Sequence, residues 1–230
     1  MFNFAKTAVL MAAITALFIV VGGMLGGEQG MLMALLMAVG MNFFSYWFSD
    51  TMVLKMTNAQ QVDERSAPQF YALVKELADK AGLPMPKVFL IDEDAPNAFA
   101  TGRDPNHAAI AVTTGLLETM DKQELQGVLA HELGHVQNYD IRVSMIAFGL
   151  VAAISIISDM VLRMMIWGGD EEGNNNPIAM IIGIIALIIA PLVATMIQLA
   201  VSRKREYLAD ATGALTTRYP EGLASALEKI

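Results

Sequence analysis

The stretch DKQELQGVLAHELGHVQNYD, residues 121–140, decides the fold. Asp121 followed three residues later by Glu124 is the pattern of a capping box, in which the Asp side chain accepts an orphan amide hydrogen and the Glu reaches back. Leu125, Val128, Leu129, Glu132 and Val136 then recur at helical spacing. In that helix His131 and His135 stand one above the other on a single face, with Cβ atoms about 6 Å apart. Two imidazoles so placed can ligate one tetrahedral Zn2+. Glu132 points beside such a metal rather than at it, which is the place of a general base for a water molecule. The alternative is a pair of surface histidines on an amphipathic helix; the surroundings of the motif favour zinc.

Two histidines leave a catalytic zinc incomplete, because it usually takes three protein ligands and keeps one position open for water. The chain has no Cys, and its one other His is His107, in a polar turn and read as a solvated loop residue. The third ligand is therefore expected to be a carboxylate. SRKREYLAD, residues 202–210, offers Glu206 and Asp210 at i, i+4. One of them can bind metal while the other accepts the free ring N–H of a ligand histidine. The His-Glu-x-x-His helix, the later Glu-x-x-x-Asp helix and the segment Asn97-Ala98-Phe99-Ala100 ahead of both resemble the HtpX-type membrane zinc metalloproteases. These are gluzincins related to the type I CAAX prenyl endopeptidases. The resemblance covers almost the whole chain. It implies one Zn2+ per chain, held by His131, His135 and Glu206, with Glu132 as catalytic base and Asp210 fixing the tautomer of one of the two histidines. It also implies a further C-terminal segment with a His-Pro motif. Residues 210–230 do not match it, so either the chain is a shortened form or that part is dispensable for the core site.

Composition agrees with a membrane protein. At 55% apolar residues and a positive mean hydropathy, the 230-residue chain is too apolar for an ordinary soluble domain. The absence of Cys excludes disulfides, thiol nucleophiles and Cys-ligated zinc. A net charge of −8 argues against nucleic acid as a partner, since such a protein would carry a basic face. The 17 Met residues fall mostly in the apolar runs and read as lipid-facing or packing residues.

The expected fold class is a mainly α membrane protein: four transmembrane helices with a cytoplasmic α+β, zincin-like metalloprotease domain containing a small sheet. Residues 7–25 and 31–48 are two apolar runs approaching the roughly 20 residues that cross a bilayer core, separated by a Gly-rich turn at 26–30. They make a transmembrane hairpin over 1–49, read as an uncleaved anchor rather than a signal peptide. Residues 50–142 are polar enough for a soluble domain. There Ser66 is expected to start a helix with Pro68 in its first turn, which Gly82 and Pro84 end. Strands are expected at 87–91, 97–101 and 108–114, with turns between them. A second hairpin, with spans at about 143–162 and 178–201, flanks a polar loop at 168–176. Asp159 and Arg163 near the end of its first span pair or snorkel. Residues 202–230 return as helix, with a pause at 219–222, and complete the protease domain.

Lys and Arg near the membrane ends lie at Lys6, within 50–142 and at Arg203-Lys204-Arg205, while the loops at 26–30 and 168–176 carry none. The positive-inside rule then puts both termini and the active site in the cytoplasm. Zinc chemistry demands the same parity, because His135 and Glu206 meet at one metal only if an even number of spans separates them.

An edge strand presents unpaired N–H and C=O groups on which an extended peptide can dock. By resemblance Asn97, Ala98, Phe99 and Ala100 form such a strand above the metal and bind substrate; the structural alternative has Phe99 filling the core and Asn97 satisfying a turn. The expected partners are polypeptides, by resemblance misfolded or damaged membrane proteins cut at the inner-membrane surface in a stress response, together with the lipid bilayer. An intramembrane protease is disfavoured by the polar Gln126, Gln137 and Asn138 of the zinc helix. A prenyl-protein processing protease would be expected to carry more spans. An inactive zinc-binding scaffold would have no use for Glu132.

Overall fold

The structure is a computed structural model and describes residues 2–147, 151 and 203–230. The chain divides into two compact units, one of residues 1–46 with 146–201 and one of 47–145 with 202–230.

Helix α1, Phe2–Met56, begins in the first unit and is broken at Gly26-Gly27, where Gly27 takes φ 59° and ψ −141°. That left-handed region favours glycine, and the break turns one long apolar segment into a hairpin. The arms approach closely: a Cβ on Gly22 would collide with the Gly30 carbonyl and the Ala34 side chain. Asn42 donates to Thr15 Oγ1 at 2.9 Å across the hairpin, and Ile14 and Ala38 are buried. Among the described residues one segment, Gly26–Phe48, is long and apolar enough to cross a membrane. Its Leu32, Met33, Leu36, Phe43 and Phe44 are exposed, as side chains facing lipid rather than a protein core would be. The expected spans at 143–162 and 178–201, the loop between them, and Asp159 and Arg163 lie outside the described residues apart from 143–147 and 151.

The second unit is built on a four-stranded sheet of order β1-β2-β4-β3: β1 is Gln60–Val62, β2 Lys87–Ile91, β3 Ala98–Gly102 and β4 Ala108–Thr113. β2 and β4 are parallel; β1 on β2 and β3 on β4 are antiparallel. β3 is therefore an edge, as the resemblance led us to expect. β1 is a fourth strand that periodicity did not reveal, since three residues carry no alternation to detect. β4 is buried at every position, as suits a central strand whose residues up to the closing Thr113 are all apolar. It stops at Thr113, one residue short of expectation, because Thr113 caps the short helix α3, Thr114–Thr119, accepting from the Leu116 amide.

Helix α2, Pro68–Ala81, and helix α4, Lys122–Gln137, cover one face of the sheet. Phe70, Leu73, Val74 and Leu77 of α2 meet Val88, Ile110 and Val112 of the sheet and Leu125, Val128, Leu129 and Leu133 of α4 in a single core. Each fully buried Leu there contributes about 2 kcal/mol by apolar transfer. Ser66 does not cap α2: its amide and hydroxyl are taken by the Asp63 carboxylate, and the cap position is Ala67 with Pro68 as the first helical residue. Gly82, in the left-handed region at φ 67°, ends the helix where expected.

The capping box of α4 is formed in full. A helix over 140–147, α5, follows after two turn residues. Helices α6, Arg203–Thr217, and α7, Pro220–Lys229, pack on α4, with the pause between them at Arg218-Tyr219. Both use glycines to come close. A Cβ on Gly127 would stand 2.5 Å from the Leu223 amide nitrogen, one on Gly134 3.0 Å from the Ala209 carbonyl, and one on Gly213 3.0 Å from the His131 amide nitrogen.

Candidate metal centre

This close packing of α6 on α4 brings Glu206 to the histidines. His131 Nε2 and His135 Nε2 lie 3.2 Å apart, and Glu206 Oε2 lies 3.5 Å from the first and 3.4 Å from the second. Bonds of 2.0–2.1 Å to a tetrahedral zinc put neighbouring ligand atoms about 3.3 Å apart. The three atoms thus already describe one face of a zinc coordination tetrahedron. Two imidazole nitrogens and a carboxylate oxygen are also the donor set of a catalytic rather than a structural site. Among the described residues this is the group able to hold a metal ion.

Each histidine is held from behind. Asp210 Oδ1 lies 2.8 Å from Nδ1 of His131, which answers the question the sequence left open between the two rings. His135 Nδ1 has a different partner, Asp140 Oδ2 at 3.2 Å. With each Nδ1 on a carboxylate, the Nε2 lone pairs are the ones turned to the metal position. Asp140 is the residue that sequence reasoning missed. It closes the quoted stretch, but its contact with His135 is set by the turn at Asn138-Tyr139.

Glu132 is buried, and its Oε2 accepts a hydrogen bond from the Ala100 amide at 2.9 Å. Burial pushes its carboxyl up from the usual range, against the opposing pull of His135, His131 and the Ala100 N–H. A carboxyl raised in this way would be better matched to proton transfer near neutrality, were it to serve as a base. For His135, burial opposes the charged form, but Asp140, Glu132 and Glu206 outweigh it and the net shift is upward.

The four segment residues 97–100 stand as follows. Asn97 is exposed, its carbonyl accepting from the Thr113 amide at 3.0 Å and its amide donating to Thr113 Oγ1 at 2.9 Å. Because the Asn97 carbonyl faces β4, alternation turns the backbone groups of Ala98 and Ala100 to the open side. The Ala100 bond to Glu132 agrees. Ala98 and Ala100 pack their side chains against the core, whereas Phe99 points to the other face and is half-buried, so it does not fill that core. His107 is a half-exposed turn residue, its Nδ1 2.8 Å from Asp104 and remote from this cluster in role.

Residues 64–230 match the model of peptidase family M48. The chain is 68% identical over its whole length to a protein described as a protease HtpX homolog from Polynucleobacter necessarius, covering 78% of that protein. It is 60% and 58% identical to those from Ralstonia pickettii and Burkholderia multivorans, covering 79% of each. Among solved structures, Ste24p of S. mikatae superposes with a TM-score of 0.55 at 20% identity, over 98% of this chain and 56% of that one, a likeness of fold. With the histidine pair, the carboxylate and the buried glutamate already in place, these matches settle the family: the chain belongs to peptidase family M48 and is a metalloprotease of the HtpX type.

Proposed function

We propose that this metalloprotease is a zinc-dependent endopeptidase, anchored by four membrane spans, that cuts misfolded or damaged membrane proteins at the cytoplasmic face. The observation that carries the proposal is the convergence of His131 Nε2, His135 Nε2 and Glu206 Oε2 within 3.5 Å, beside a buried Glu132. Bound there, Zn2+ would supply Lewis-acid polarisation of the scissile carbonyl and lower the pKa of a water molecule. Asp210 keeps the His131 imidazole aimed. Glu132 takes one proton of the attacking water and delivers it to the departing amine nitrogen, while the water's OH stays on the carbonyl carbon. The peptide bond is replaced by a carboxylic acid and an amine, between which the last proton then passes to give carboxylate and ammonium.

Substrate would lie along β3. The outward N–H and C=O of Ala98 offer an extended peptide a partner, and the same edge contacts Glu132 through Ala100. A chain docked there is presented to the base without a separate positioning device. The exposed apolar helix Gly26–Phe48 supports a bilayer location, where the enzyme meets cytoplasmic loops of membrane proteins without capturing them from solution.

The test is cleavage of casein and of an unfolded membrane protein by the detergent-purified chain, with and without Zn2+, beside Glu132→Gln. Cleavage is expected to need zinc and to vanish in the variant while zinc stays bound. Undiminished cleavage by Glu132→Gln would remove this residue from the mechanism.

A further inference from the structure

Resting on the zinc reading above, we propose that Asp140 is the positioning residue of His135 and that Arg205 acts on the metal centre through Asp140. The effect is to join the two halves of the site, His135 on α4 and Glu206 on α6, through side chains independently of the metal.

Asp140 is 3% exposed, and its two oxygens face different groups: Oδ2 lies 3.2 Å from His135 Nδ1 and Oδ1 lies 3.9 Å from Arg205 Nε. Arg205 is 6% exposed and immediately precedes the ligand Glu206. The path His135, Asp140, Arg205, Glu206 therefore closes a loop around the metal position. Buried charges of this kind are a costly way to gain stability, since apolar residues of similar size would serve at least as well. Their use here is better explained by orientation than by stability.

A second observation is independent of the ion pair. Tyr139 is a non-glycine residue in the left-handed region, at φ 59°. Such a conformation is disfavoured by about 1 kcal/mol or more and persists where its surroundings enforce it. Here the Arg142 guanidinium lies 5.2 Å from the Tyr139 ring centroid, and Arg142 Nε donates to the Arg103 carbonyl at 2.7 Å. This turn breaks the chain after α4, and Asp140, five residues past His135, lies with Oδ2 3.2 Å from its Nδ1. The backbone is strained at the one place that delivers the carboxylate.

The contrast with the other histidine sharpens the assignment. Asp210, on His131, is 44% exposed and sits one turn after Glu206 on the same helix, so it needs no intermediary. Asp140 comes from a different element than Glu206 and is linked to it by Arg205.

The test uses the full chain in detergent, with zinc affinity measured by chelator competition for the wild type, Asp140→Asn, Arg205→Gln and the double variant. Circular dichroism checks folding. Asp140→Asn is expected to weaken zinc by about 10- to 100-fold, and Arg205→Gln by less. The double variant is expected to match Asp140→Asn alone, because residues acting through one another are not additive. Replacing zinc by cobalt gives a second readout: the visible bands of Asp140→Asn shift as the donor set of His135 changes, which a merely structural role would not cause. A folded Asp140→Asn with wild-type affinity and spectrum overturns the proposal, and so do additive losses. If Asp140→Asn does not fold, Arg205→Gln decides, and its unchanged affinity and spectrum would overturn it. Failure of the wild type to bind zinc would instead overturn the reading of the site itself.

Discussion

Glu206 and Asp210 stand one helical turn apart, the first among the converging donor atoms and the second on His131 Nδ1, and substitution separates the roles proposed for them. Glu206 is one of three converging donors, and in a chain with no Cys and no further His nearby its loss leaves two. Glu206→Ala is expected to lose zinc on dialysis, whereas Asp210→Asn keeps all three donors and binds about 10- to 100-fold more weakly. Metal content by atomic emission distinguishes them, and stoichiometric zinc in Glu206→Ala would mean the ligand is another residue. This pair was legible in the sequence because i, i+4 carboxylates on a helix share a face whatever surrounds them. Asp140 was not. Its distance to His135 depends on a single left-handed residue, Tyr139, whose type gives no warning of that conformation. The Ala100 bond to Glu132 was equally hidden, since it requires the register of β3 on β4 and the docking of α4 together.

At the scale of elements, helix α4 is held at both ends by what packs on it. Near its start Glu124 is 4% exposed and accepts from the Asp121 amide at 2.8 Å, from Lys229 Nζ at 2.6 Å and from Ser225 Oγ at 2.7 Å. The capping box read from sequence is thus also the anchor of α7. Lys229, Ser225 and the Asp121 amide, in that order of effect, hold the Glu124 carboxyl at about 2, below its usual 4.5. A carboxylate with a depressed folded pKa contributes stability in full above about pH 4.5 and loses it as pH falls towards 2. Glu124→Gln should therefore melt below the wild type at pH 7, with the gap narrowing below pH 4.5 and closing near pH 2. Thermal unfolding at pH 7, 4 and 2.5 measures it, and a gap independent of pH would mean the charge is not what anchors α7. Helices α2 and α4 and strands β2 to β4 were readable from apolar spacing and their stop residues, and α6 from the spacing of its two carboxylates. The three-residue β1 and six-residue α3 were not, because neither is long enough to show a period.

For the molecule as a whole, the metal centre constrains the path of the chain. His135 precedes residues 143–201 and Glu206 follows them, yet their ligand atoms lie 3.4 Å apart. Whatever the intervening chain does, it must cross a bilayer an even number of times. On the topology proposed above, two apolar runs, 143–162 and 178–201, around a polar loop without Lys or Arg would make that number two, and the basic Arg203-Lys204-Arg205 would put the return on the cytoplasmic side. That topology predicts that Gly173 faces outward. The native chain contains no Cys, so Gly173→Cys introduces a single thiol on an otherwise silent background. An impermeant maleimide is expected to label it in intact spheroplasts, while Glu64→Cys, at an exposed position of the second unit, reacts only after lysis. If Gly173→Cys also waits for lysis, the number of crossings is zero. The second apolar pair then does not span, and the enzyme hangs from the hairpin of α1 alone.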